Sequence, residues 1–430
     1  MSQSRHRSRK SPAVPSGHRR HPARWRAPLA LAAAGSIALT GLAAVSASAA
    51  QPEGPGNGAC KVHDDPQWSG WTDHTELGRA LHTIEQTSAG RVEVEQIGTS
   101  TLGRELWSAR VGTGEKVLMV QSAIHGNERT GTEALLGILR DLGTSSDPAT
   151  ERLLSEVTLV ALPMVNPDGG ELNRRINVLS WDEVVARYPQ LADAPRAWYH
   201  SLTGDGIALP GFDLNRDFNP DLDYRPSAAD LPGRQVDAGF FLAPESRAIR
   251  DVYVALREEF GTVDAVVDLH HMGPCGRLTG GPQDGKLISV ALDYPPLGVE
   301  DGAAYREQWP LLDQDKSRRY ALAVARGLQD AYGPQSPLAA VGRYLHPEER
   351  EYAGQGRSAF ALNGSATVLF EVRGQQDDLG QKQKGMLVQT VRTGVESLLA
   401  AMASGEVDRL DGDDFFGLPD YGWDTGSSSD

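Results

Sequence analysis

His125 and Glu128 stand three residues apart, just past the apolar run Val-Leu-Met-Val-Gln-Ser-Ala-Ile at 117–124. Far downstream a second run, Asp-Ala-Val-Val-Asp-Leu at 264–269, ends in His270. Two imidazoles and one carboxylate form the ligand set of a catalytic zinc whose fourth position stays open to water or substrate. The chemistry such a set performs is metal-assisted hydrolysis. Taken alone, His-x-x-Glu often arises by chance. A lone His270 in an apolar run would more often be a hydrogen-bonded core histidine. The weight of the reading comes from what must position these residues.

Apolar periodicity predicts a helix over 75–87, with Leu77, Leu81 and Ile84 on one face. Strands are predicted over 92–97 and 106–111, joined by a turn at Leu102-Gly103-Arg104, and buried strands over 116–123 and 157–165. Further helices fall over 132–142, 245–260, 317–332 and 382–402, and further strands over 263–270 and 367–372. Strands alternating with helices imply an α/β fold, a mixed, mostly parallel central sheet with helices on both faces. Ligands of open parallel sheets bind beyond the carboxyl ends of the strands. His125, the run Asn166-Pro167-Asp168-Gly169, His270 and Glu371 each fall at or just past such an end. Four placements on one edge are hard to explain as scattered core polar residues. Two stretches break the rhythm, 177–210 with Trp181, Tyr188, Trp198 and Tyr199, and the Gly- and Pro-rich 273–315. Both are predicted to be surface insertions, which in compact domains are often functional.

The first 26 residues hold eight Lys/Arg and no acid, an Ala-rich run follows over 27–44, and Ala47-Ser48-Ala49 offers a cleavage site. This reads as a secretory signal peptide over 1–49. The run lacks the length of strongly apolar residues that a membrane span needs. Arg19-Arg20 sits in too loose a context for a twin-arginine signal, so general secretion is the expectation. The full chain carries −15, and removal of 1–49 leaves −23. That balance excludes nucleic acid and anionic membrane as partners and fits a soluble extracellular monomer. The expected organisation is a short leader over 50–67, a catalytic domain over 68–404 and an acidic, flexible tail over 405–430. Cys60 and Cys275 are the two cysteines. In an oxidising compartment they suggest one disulfide, with two buried thiols as the competing reading.

Six motifs now stand in order: the stretch leading to Gly103-Arg104, His125-Gly-Asn-Glu128, Asn166-Pro-Asp-Gly169, Gly211-Phe-Asp213-Leu-Asn215-Arg216, Asp268-Leu-His270 and Phe370-Glu371-Val-Arg373. In this order they resemble the zinc carboxypeptidase family, the metallopeptidases typified by pancreatic carboxypeptidases A and B. The resemblance covers roughly 68–402. Any one motif is weak, and six in sequence are strong.

The resemblance implies one zinc per chain on His125, Glu128 and His270. It implies hydrolysis of the C-terminal peptide bond of peptides with a free carboxylate, by zinc-bound water with Glu371 as general base and acid. The physics agrees: the water's proton must pass to the leaving amine through a carboxylate that is not a ligand. Glu371 is flanked by Leu369, Phe370 and Val372, a setting that favours a mobile proton. Arg175, in Arg-Ile-Asn177, resembles the arginine that stabilises the oxyanion, with adjacent Arg174 as the competitor. Asn215 and Arg216 match the residues that bind the substrate carboxylate, and Asp213 matches the carboxylate that orients a zinc histidine. His271 should point to the opposite face of its strand and stay off the metal. Tyr352 is the candidate for the tyrosine that closes over substrate, and Tyr344 competes. Arg357 lies where side-chain selection is expected, either favouring an acidic group or simply exposed. Two other activities remain open: cleavage of cell-wall peptides, and zinc-dependent hydrolysis of N-acyl amino acids.

Overall fold

The longest apolar runs of the sequence become the innermost strands. The structure, a computed structural model, describes residues 70–344, 349–374 and 380–422. The signal segment, the leader, Cys60 and residues 423–430 lie outside the described residues. The described residues belong to one compact unit.

Among the described residues twelve strands occur in chain order. They are β1 (Val92–Thr99), β2 (Glu105–Val111), β3 (Lys116–Ser122), β4 (Val157–Leu162), β5 (His200–Ser201), β6 (Gly211–Phe212), β7 (Ala265–Met272), β8 (Arg277–Thr279), β9 (Val290–Asp293), β10 (Val341–Arg343), β11 (Ala366–Arg373) and β12 (Asp420–Gly422). Ten of them form one sheet in the order β1-β2-β4-β3-β7-β11-β9-β10-β12-β8, and β5 pairs with β6. The centre is parallel: β4 with β3, β3 with β7, and β7 with β11. Antiparallel pairs flank it, β1 with β2 and β2 with β4 on one side and β9 with β11 on the other. The expected mixed, mostly parallel sheet is therefore present. Val117 to Val120 and Val266 to Val267 are buried on both faces, as a sheet covered by helices on both sides requires.

The helices are α1 (His74–Thr87), α2 (Thr130–Thr144), α3 (Pro148–Glu156), α4 (Pro167–Glu171), α5 (Trp181–Arg187), α6 (Pro244–Phe260), the single turn α7 (Val299–Gly302), α8 (Gln314–Tyr332), α9 (Gly356–Leu362) and α10 (Gly380–Ala403). Leu135 and Leu139 of α2, Val324 and Leu328 of α8, and Val391 and Val395 of α10 pack with Val120, Val267 and Phe370 on one face. Each such side chain contributes about 1.5–3 kcal/mol on burial. Ile249 and Tyr253 of α6 and Phe360 of α9 cover Met119, Val160 and Val266 on the other. No described helix is long and apolar enough to cross a membrane.

Three expectations need correction. The 177–210 stretch is more than a surface insertion. Leu179, Trp181, Val184, Leu191 and Tyr199 are buried with Phe212 and Phe240. The Asn177 N–H donates to Phe212 O at 3.2 Å, and the Phe212 N–H donates to Asn177 Oδ1 at 2.8 Å. The segment therefore leaves and returns at one point, and its aromatics give it an apolar core shared with α6. The 273–315 stretch contributes β8 and β9 to the sheet, and all four residues of β9 are buried. Glycine- and proline-rich flanks hide so short a strand. The acidic stretch expected to be a tail folds against the domain as far as β12. Val407, Phe415 and Tyr421 are buried, and β12 pairs with β10 and β8. Its acids have partners: Asp414 lies 2.6 Å from Arg326, and Asp420 pairs with Arg343.

Candidate metal centre and active site

The sheet register brings the reactive side chains together. His270 on β7 and Glu371 on β11 are parallel partners, so their side chains leave the sheet on the same face at its carboxyl edge. β3 ends at Ser122, and Ala123 then takes a left-handed φ of 55°. This conformation is uncommon for a residue with a Cβ. It turns the chain sharply into Ile124 and His125. Gly126 follows, where an added Cβ would stand 2.1 Å from the backbone of Gly169. Only glycine lets the His125 loop lie against the Asn166–Gly169 loop so closely. Asn166 braces that contact, its Nδ2 donating to Ile124 O at 3.1 Å and to Arg175 O at 3.2 Å.

His125, Glu128 and His270 are all buried, and their ligand atoms lie within 4.8 Å of one another. Nδ1 of His125 is 2.9 Å from one Glu128 oxygen, and Nδ1 of His270 is 2.9 Å from the other. The two Nδ1 atoms are 3.1 Å apart. Each far nitrogen faces a carboxylate: His125 Nε2 lies 3.3 Å from Asp213, and His270 Nε2 lies 2.9 Å from Asp268. Such carboxylates fix the Nε2–H tautomer and leave the Nδ1 lone pair for a metal. Burial opposes the charge on Glu128, but the two histidines hold its carboxyl well below the usual range. Two nitrogens and an anionic oxygen converging from three sides fit zinc.

Around this centre stand the other expected residues. Arg175 places Nη2 3.2 Å from Asp213 and Nη1 3.6 Å from Glu128, with its side chain 40% exposed. Arg174 turns the other way, fully buried, with Nη2 donating to Leu209 O at 3.0 Å. Arg216 donates to Asn215 O at 2.7 Å, and its guanidinium sits 4.9 Å from the Tyr352 ring. Tyr344 instead stacks on Tyr421 at 5.7 Å. Asn215 shares its amide between the metal side and the Gly356 N–H rather than turning it to solvent. Glu371 Oε2 is buried and has no hydrogen-bond partner among the described residues. Burial, with Glu128 adding to it, pushes the Glu371 carboxyl up to about 7, against the pull of His270, His125 and Arg357.

His271 lies on the opposite face, as expected. Its Nε2 accepts from the Thr130 N–H at 3.0 Å and so caps α2. Burial drives its pKa down to about 4, which keeps the ring neutral and able to accept. Arg357 fits neither expectation for it. It is buried, with Nη1 3.0 Å from Asp293 on β9 and 3.0 Å from Tyr294 O. Asp168 is also structural: it accepts from Ser100, from the Leu102 N–H and from Arg104, tying the β1–β2 turn to the loop beside His125. Asp268 was legible only as part of a motif, and Gln121, which donates to it at 2.9 Å, carried no motif at all. The available signal was a polar residue inside an apolar strand.

Residues 78–274 match the zinc carboxypeptidase family model. That span includes His125, Glu128, Arg175, Asn215, Arg216 and His270, whereas Tyr352 and Glu371 lie beyond it. The chain is similar to a carboxypeptidase E of Caenorhabditis elegans, 31% identical over 179 residues, which are 39% of this chain and 34% of that protein. It is also similar to a carboxypeptidase B of Astacus astacus, 24% identical over 191 residues, 43% of this chain and 56% of that one. The match thus spans a third to just over half the length of these relatives. A crystal structure of thrombin activatable fibrinolysis inhibitor aligns over 78% of each chain with a TM-score of 0.50 and 16% identity, a likeness of fold.

Proposed function

We propose that this chain, which belongs through residues 78–274 to the zinc carboxypeptidase family, is a secreted enzyme that removes the C-terminal residue of peptides with a free carboxylate. The observation that supports this best is the arrangement of Glu371. It is a half-buried residue whose Oε2 is buried and unengaged among the described residues, on the strand beside His270, and it is not one of the three ligands. Secretion rests on the signal-like composition of 1–49.

Zinc on His125, Glu128 and His270 would supply Lewis acidity, lowering the pKa of bound water to about 7. Glu371 takes the proton released at the attack and returns it to the departing amine. Glu371 Oε2 is itself buried, which keeps the proton at the site. Arg175 is half-exposed beside Glu128 and Asp213, where its guanidinium can meet the developing oxyanion. Arg216 binds the terminal carboxylate, and Tyr352, packed on its guanidinium, closes that end of the site.

An exopeptidase needs a group that grips the substrate's end and so fixes which bond meets the metal. Losing one partner of such a buried charge pair costs about 2–5 kcal/mol. Amidating the C-terminus of a good peptide should therefore cut kcat/KM steeply, and Arg216→Ala should do the same for the free acid. With the amidated peptide the substitution should add little. Equal cleavage of free and amidated peptides by the wild type would rule out a carboxypeptidase. It would turn attention to cell-wall peptides or N-acyl amino acids, assayed by mass spectrometry.

A further inference from the structure

β3 and β7 each carry a polar residue inside an apolar run. Gln121 follows Val117-Leu-Met-Val120, and Asp268 stands between Val267 and Leu269. The two are parallel register partners, so both side chains leave the sheet on the same face, and both are fully buried. Burying polar groups at a sheet centre costs free energy that an apolar pair would not incur. Gln121 keeps part of that cost, because its Oε1 has no hydrogen-bond partner among the described residues. A buried unsatisfied acceptor calls for an explanation.

The remaining contacts supply one. Gln121 Nε2 donates to Asp268 Oδ1 at 2.9 Å, and His270 Nε2 lies 2.9 Å from Asp268 Oδ2. Asn215 Nδ2 lies 3.4 Å from the same Oδ2 and 3.1 Å from His270 Nε2. The orientation of the Asn215 amide follows from the Gly356 N–H, which donates to Oδ1 at 3.1 Å; a flipped amide would set N–H against N–H. With Nδ2–H on that side, the Nε2 proton of His270 is directed to Asp268. One buried carboxylate thus gathers three donors, from β3, from the Leu214–Arg216 turn and from the imidazole. His125 is held differently: its carboxylate, Asp213, is shared with Arg175 and has a 19% exposed side chain.

We propose that Gln121, Asp268 and Asn215 are positioning residues that lock the ring of His270. The proposal rests on the zinc reading of His125, Glu128 and His270 and is independent of the peptide substrate.

The test is zinc affinity, measured by chelator competition on the protein from residue 50 onward, beside the thermal stability of the metal-free form. Asp268→Asn should weaken zinc binding about 10–100-fold, the range for losing such a partner. Gln121→Leu and Asn215→Ala should weaken it by a smaller, several-fold factor. Metal-free melting temperatures should stay near the wild-type value. If Asp268→Asn does not fold, the other two variants carry the test. Unchanged zinc affinity in folded Gln121→Leu and Asn215→Ala overturns the network. So does a lowered metal-free melting temperature with unchanged affinity, the signature of plain core residues. A raised KM for free-acid peptides with unchanged zinc affinity in Asn215→Ala removes that residue from the network and leaves it to substrate binding. A wild-type protein that binds no zinc instead defeats the metal reading itself.

Discussion

At the scale of single residues, the proposed chemistry turns on one carboxyl, Glu371, whose environment works against ionisation. Glu371→Gln keeps the shape and removes the base. Zinc content and folding should survive, while kcat falls by ~10²–10⁴-fold, the range for a lost general base. The pH dependence has a definite sign. The base must be deprotonated to work, so kcat/KM should rise with pH along an acid limb and level off above it. Without metal the carboxyl is raised to about 7, chiefly by burial. A divalent cation nearby favours the charged form, so loading zinc should move this titration below 7. The value belongs to the coupled ligand cluster as much as to Glu371 alone. Carbon NMR of labelled glutamate with and without zinc, read beside the pH–rate profile, checks the direction. A titration that rises on zinc loading would remove Glu371 from the metal's neighbourhood. The ligand triad was legible because coordination chemistry restricts residue type and spacing. Gln121 was not, because its meaning depends on a register partner 147 positions away.

At the scale of elements, long apolar runs were read correctly and short ones were not. β3, β7 and β11 announce themselves by runs of valine and leucine. β9 has four residues, too few for any periodicity, yet it brings Asp293 to Arg357. That single missed strand is why Arg357 appeared to be an exposed or substrate-facing cation. The chain after Gly405 was misread for a related reason. Its acidic composition suggests solvation, whereas its stability comes from a few aromatics. Phe415 is buried against Tyr294, with ring centroids 5.7 Å apart. Phe415→Ala should therefore cost about 3–5 kcal/mol in denaturant unfolding, as for a core phenylalanine. A loss below about 0.5 kcal/mol, typical of surface positions, would restore the flexible-tail reading.

At the scale of the whole molecule, the metal joins parts of the chain that the fold alone holds at a distance in sequence. His125 and Glu128 come from the loop after β3, and His270 from the end of β7, 145 residues later. Asp213 and Asp268 have already oriented the rings, so little ordering remains to be done when zinc arrives. A ligand that binds the native but not the unfolded state stabilises by RT ln(1 + [L]/Kd), about 2.7 kcal/mol at a hundredfold excess over Kd. Chelation should accordingly lower the melting temperature without unfolding the protein at 25 °C, because both hydrophobic layers are complete without the metal. Zinc should restore the higher value in a concentration-dependent way. Glu128→Gln keeps volume but removes the anionic ligand, so its melting temperature should respond far less to added zinc. If chelation leaves the wild-type melting temperature unchanged while abolishing activity, zinc binds too weakly at this site to be a resident part of the fold. If chelation unfolds the chain outright, the metal is structural as well as catalytic, and the two packed layers contribute less than their burial implies.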